Sequence, residues 1–236
     1  MDTVKKLVDW AKNHFLVTLS VLVVTVTLVI FGIVYVVSAP NQMANAAQGA
    51  FIMGDYTTSI EEFTTLINDN PSNPEWYIGR GMVYVTVESF ANAQRDFEIA
   101  LALDPTIEDS RVYRELGYIY AANDNPQQAI DYLTIVIDED TVARPSDFTA
   151  RGYAYASLQE PDLDAALADL EFAVSLPNTS TETFVYLADL HYALGNQAAA
   201  LENYNMYTEQ GGELGDVGIA RVEELETALG IQNSGQ

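Results

Sequence analysis

The sequence predicts an all-α chain: one transmembrane helix near the N-terminus, then an α-solenoid of about five helix pairs closed by a capping helix. Three observations predict it. Residues 15–37 form an apolar run without a charge. Beyond that run, an aromatic residue, a Gly or Ala four places on and an aromatic-type residue three further return again and again, as in "WYIGRGMVYV" from Trp76 and "FTARGYAYAS" from Phe148. Between these blocks the apolar periodicity is helical, and Gly, Asn, Asp or Pro interrupts it at intervals.

The first element is the membrane segment. Its 23 residues would span roughly 35 Å as a helix, enough for a hydrocarbon core with some tilt. A lone segment in lipid must satisfy its own backbone, which requires a helix despite the many Val and Thr. "VSA" before Pro40 has the form of a cleavage site, but the apolar run is much longer than the roughly 7–15 residues of a signal peptide. The lysines of the chain are Lys5, Lys6 and Lys12, all ahead of the segment. The positive-inside rule then places the N-terminus in the cytoplasm and everything after Pro40 on the far side of a bacterial-type cell membrane. The expected division is a cytoplasmic segment 1–14, either a short interfacial helix or a frayed basic tail, a transmembrane helix 15–38, a repeat domain 40–230 and a flexible tail 231–236.

The repeat domain follows. Gly81, Gly117, Gly152 and Ala188 are separated by 36, 35 and 36 residues. A period of that length signals stacked supersecondary units. In the unit 74–107, Tyr77, Arg80, Gly81 and Tyr84 mark a first helix, Ala93, Phe97 and Ala100 a second, and Pro105 ends it. Gly81 and Ala93 are small where the two helices cross, and Tyr77, Tyr84 and Phe97 fill the space around the crossing. The same pattern returns in 110–143 (Tyr113, Leu116, Gly117, Tyr120, Ala129, Leu133), in 145–178 (Phe148, Gly152, Tyr155, Ala166, Leu170, Ala173) and in 181–214 (Phe184, Leu187, Ala188, Gly195, Ala200, Tyr204). Its weakest copy is 40–73, with Ala46 and Ala47 at the small sites and a better second half in Gly54, Tyr56, Phe63 and Pro71. The turn "LQEPDL" is two residues too long, and residues 216–229 read as a capping helix.

These spacings resemble the tetratricopeptide repeat over about 40–230. The resemblance implies a binding scaffold in which the first helix of each pair lines a concave groove. On that alignment the groove receives Gln48, Phe51, Met82, Arg111, Arg114, Tyr118, Tyr153, Asp189 and Tyr192, a set suited to a protein or peptide partner docking on apolar anchors. Some of these could instead pack between neighbouring first helices. Arg111 and Arg114, three apart on one helix, could receive a partner carboxylate, or pair locally with Glu108, Asp109 or Glu115. The carboxylate clamp of chaperone-binding members of the family is not matched, since its positions hold Ala44, Gln48, Gly79, Arg111 and Glu115.

Composition bounds the function. The 236 residues carry a formal net charge of -24, with a sequence pI of about 4.1. Such a surface repels nucleic acid. Without Cys there is no disulfide, thiol catalyst or Cys-based zinc site. His14 and His191 are the two histidines, and no Ser–His–Asp, phosphate-loop or calcium-loop pattern occurs. Glu61/Glu62 and Glu223/Glu224 are adjacent on helices and point apart. No enzyme, cofactor or metal is expected. The expected partners are a protein or peptide in the groove and the lipid bilayer through residues 15–37, in assembly or quality control of an envelope or secretory complex. The alternatives are a cytosol-facing receptor for targeting helices and a non-catalytic subunit of a membrane enzyme. Oligomeric state is not legible.

Overall fold

The computed structural model describes residues 42–139 and 143–231. The expected segment 1–14, the transmembrane segment 15–38 and nearly all of the tail 231–236 lie outside the described residues. Among the described residues no helix is long and apolar enough to cross a membrane. The chain divides into two units at Pro105/Thr106.

The first unit holds two helix pairs. Helix α1 covers 42–52 and pairs with α2 (Tyr56–Asp69); α3 (Pro74–Thr86) pairs with α4 (Phe90–Leu103). The second unit holds three pairs and a lone helix. They are α5 (Ser110–Ala122) with α6 (Pro126–Glu139), α7 (Pro145–Ala156) with α8 (Leu163–Ser175), α9 (Thr181–Ala193) with α10 (Gln197–Glu209), and α11 (Asp216–Ala228). This is the expected all-α order of five pairs plus a capping helix.

One position explains why the pairs close. Ala93, Ala129, Ala166 and Ala200 on the second helices are all fully buried. Opposite them stand the small residues of the first helices. A Cβ added at Gly81 would come within 2.6 Å of the Phe97 ring, and one at Gly117 within 2.6 Å of Leu133. No side chain fits there, so Gly is required by close approach of the axes. In the first pair Ser59 takes the place of Ala. Its buried hydroxyl needs an acceptor, and it donates to the Ala47 carbonyl of α1 at 2.8 Å. Phe63, Phe97, Leu133, Leu170 and Tyr204 then fill the next turn, all buried.

Four of the five turns within pairs share one device. Gly54, Glu88, Asp124 and Gly195 have φ between 57° and 79°, the left-handed conformation that ends a helix. The following N–H bonds back five residues: Asp55 to Ala50, Ser89 to Tyr84, Asn125 to Tyr120 and Asn196 to His191, at 2.8–3.0 Å. In the long turn between α7 and α8 the matching bond runs from Asp162 to Tyr155 at 3.1 Å. This bond spans two residues more, and no residue of the turn takes the left-handed conformation. Asp162 then caps α8 by accepting from the Ala165 N–H at 3.0 Å.

Two pairs also carry a polar clip. In the first unit Arg80 of α3 binds Asp96 of α4 through two bonds of 2.8 Å and donates to Thr64 of α2 at 3.0 Å. In the second unit Arg151 of α7 binds Asp169 of α8 at 2.7 and 2.8 Å and donates to Thr134 of α6 at 3.2 Å. Each clip ties a pair to the helix before it.

Candidate binding cleft

The first helices of the second unit, α5, α7 and α9, border a cleft of about 580 Å³, within the size range of ligand sites. Tyr118 and Ala122 come from α5, Ser146, Thr149 and Tyr153 from α7, Glu182 and Tyr186 from α9. The three tyrosines give it its character. Tyr153 and Tyr186 are 40% and 37% exposed, and their rings lie 5.2 Å apart, tilted by 47°. They present apolar faces with polar ends, the combination enriched at recognition surfaces.

Tyr118 is held from below. Its hydroxyl donates to the Asp147 carboxylate and lies 2.9 Å from the Ser146 Oγ. Asp147 is fully buried and accepts also from the Arg114 guanidinium at 2.9 Å and from the Arg144 backbone N–H at 2.9 Å. That last bond closes the first turn of α7. A buried carboxylate with this many donors is satisfied rather than strained. Burial, with Asp147 second, pushes the Tyr118 hydroxyl above the usual tyrosine range, so it stays neutral. Burial likewise raises Tyr186. On the rim, the Ser180 hydroxyl donates to Glu182 and lowers its pKa, keeping it charged.

The expected groove residues take five different placements. Tyr118 and Tyr153 line the cleft. Asp189 and Tyr192 turn toward the capping helix: Asp189 accepts from Arg221 at 2.5 Å and from Tyr204, and Tyr192 donates to Glu224 at 2.6 Å. Asp189 borders a smaller recess of about 260 Å³ with Leu214, Val217 and Arg221. Arg114 is interior, 3% exposed, with its guanidinium on Asp147. It holds α5 to α7 and positions Tyr118. Arg111 is exposed at the start of α5 and binds Asp109 through two bonds of 2.9 and 2.6 Å. In the first unit, Gln48 is exposed, Met82 half-buried, and Phe51 packs 5.9 Å from Tyr56 beside Phe63 and Leu66. His191 is buried, with Asn196 3.3 Å from its ring, in a packing position.

Reading the sequence missed Asp124, Glu182 and, among the tyrosines, Tyr186. Tyr186 lies three places before Asp189, the register match of Tyr118 and Tyr153. Residues three apart share a helix face, and the wall toward α7 is made by that earlier turn.

Comparison with known proteins agrees with this architecture. Residues 80–147 match the family described as tetratricopeptide repeat. Human tetratricopeptide repeat protein 6 is 28% identical over 156 residues, which cover 64% of this chain and 29% of that protein. The chain spans less than half the length of the curated relatives it matches. Among solved structures, YrrB, described as a TPR protein with an unusual peptide-binding site, superposes with a TM-score of 0.65 at 19% identity, over 77% of this chain and 90% of that one. PilW, described as a widely conserved type IV pilus biogenesis factor, gives 0.59 at 17% identity, over 81% and 86%. At these identities the structures share the fold.

Proposed function

Since the chain carries tetratricopeptide repeats, and such repeats serve protein–protein interaction, we propose a membrane-anchored, non-catalytic scaffold that holds a protein or peptide segment in the α5–α7–α9 cleft. One observation carries this reading: three successive first helices each send a tyrosine to the same cleft. A surface of that kind offers area with little conformational entropy to lose on binding. The anchor rests on the uncharged run 15–37 and the lysines ahead of it. The role in assembling an envelope or secretory complex is supported by the fold shared with the pilus biogenesis factor PilW.

Two experiments test the two halves. A tag beyond Gln236, with an impermeant protease added to intact cells, reads topology; digestion from outside is expected. A tag protected from protease even after selective permeabilisation of any outer membrane would reverse the orientation and favour the cytosol-facing receptor. For the cleft, full-length protein is purified from its own cells with its partners. Tyr153→Ala/Tyr186→Ala is expected to lose at least nine-tenths of the bound partner, and Phe172→Ala, on the second helix α8, to keep it. Equal retention by both variants contradicts the cleft.

A further inference from the structure

The lining of the cleft also points to the chemistry of what it binds. Its charged members are Asp124, at the end of α5, and Glu182, at the start of α9; no Arg, Lys or His is among the residues that line it. Both carboxylates stand at the rim in exposed positions. The three tyrosines belong to the same lining. Tyrosine faces carry negative potential and attract a cation within about 6 Å of the ring centre. The protein already uses this contact elsewhere: Arg221 sits 4.9 Å above the Tyr192 ring and Arg80 5.8 Å from that of Tyr84. In the cleft the ring faces and the carboxylates are present without a basic side chain among the lining residues. With a formal net charge of -24, the surrounding field draws cations in and turns anions away.

Resting on the reading of the cleft as the binding site, we propose that its occupant is an extended peptide segment bearing Lys or Arg, whose cationic head lies against Tyr153 and Tyr186 and pairs with Glu182, with Asp124 receiving a second basic residue. The arrangement selects against acidic segments by repulsion as well as for basic ones by attraction. A basic stem suits the site for a second reason: its methylenes cover the tyrosine faces while the head stays wet.

The test uses full-length protein in non-ionic micelles and four fluorescein-labelled nonapeptides. They share one apolar and Ser frame and carry three Arg, three Lys, three Gln or three Glu at the same places. Fluorescence anisotropy is expected to show the Arg and Lys peptides binding at least tenfold tighter than the Gln peptide, and no saturable binding of the Glu peptide. Asp124→Asn/Glu182→Gln should shrink that tenfold preference to less than threefold. Glu171→Gln/Glu209→Gln removes the same charge at exposed positions on the second helices α8 and α10, outside the cleft lining, and should leave the preference intact. Tyr153→Leu/Tyr186→Leu keeps apolar area without ring faces and should weaken the Arg peptide at least fivefold while the Gln peptide changes less than twofold. If the remote pair lowers basic-peptide binding as much as the cleft pair, the attraction is general and the proposal fails. If all four peptides bind alike and the tyrosine variants weaken all of them, the basic preference fails and the cleft stands. If neither the tyrosine nor the carboxylate variants change any binding, the cleft reading itself fails.

Discussion

The α3/α4 and α9/α10 pairs have the same outline and close it by different chemistry. In α3/α4 the clip Arg80–Asp96 sits almost out of water, the two side chains being 16% and 3% exposed. In α9/α10 the matching places hold Leu187, buried, and Asn203, which bonds only its own helix at Ala199. The clip returns in α7/α8 with every part: Thr64, Arg80 and Asp96 reappear 70, 71 and 73 residues on as Thr134, Arg151 and Asp169. Even the tyrosine four residues after each arginine is kept, 5.8 and 5.9 Å from its guanidinium. In α5/α6 the places belong to buried Leu116 and to Tyr132, stacked on Tyr120 at 5.6 Å. From α3 to α10 clipped and unclipped pairs thus alternate, a two-repeat period beneath the period of about 35. The small residues and closing turns make a pair; the clip is one of two ways to fasten it to its neighbour.

The alternation can be broken directly. Arg151→Met leaves Asp169 buried without its partner and should destabilise the protein by about 3–5 kcal/mol in urea unfolding. Arg151→Leu/Asp169→Asn copies the α9/α10 solution, and a buried ion pair replaced by packing is often near neutral. The double variant should therefore recover most of that loss. A double variant as unstable as the single one would show that the clip is not interchangeable with apolar packing.

The common closure should fail wherever it is filled. Gly81→Ala in the clipped pair and Gly117→Ala in the apolar pair each push a methyl into a side chain at 2.6 Å. Each should lose about 1–3 kcal/mol, by the same urea measurement. A loss confined to one of them would tie the crossing distance to the type of closure.

The α9/α10 pair is sharpened by pH. Burial first, and Asp189 second, push the Tyr204 hydroxyl up to about 12, above an ordinary tyrosine at about 10. A raised folded-state value means the stabilisation is whole below pH 10 and drains away as pH rises toward 12. The loss should be on the order of 1–2 kcal/mol. It should shrink in Tyr204→Phe, as read by thermal melts across that range.

The smallest effect belongs to the turns. Glu88 holds φ 57° where Gly54 and Gly195 serve other pairs. Glu88→Gly removes the left-handed penalty at some entropic loss, and should raise stability by roughly 0.5–1 kcal/mol.

Much of this was legible in the sequence. Gly81, Gly117, Ala93, Ala129, Ala166 and Ala200 were marked as close contacts because a fixed period exposes positions where only small residues recur. The same register picked out Tyr118 and Tyr153, which line the cleft. The clip was not, since aligning every repeat with every other averages Arg80 with Leu116 and hides an alternating signal. Arg114 was placed at the groove because its position in the repeat faces there. Its partner Asp147 lies 33 residues away, and nothing local announces a buried ion pair. Asp189 and Tyr192 follow the groove register too, but they end the array, where the capping helix brings Arg221 and Glu224 against them.

The most direct test of the cleft is a photoreactive benzoylphenylalanine placed singly at Tyr153, Tyr186 or Phe172 in full-length protein and irradiated in its own cells. All three side chains are exposed, so access alone does not separate them. The account predicts one adduct of the same partner mass from positions 153 and 186, and none of that mass from 172. Adducts of that mass from 172, or none from either cleft position, would contradict it.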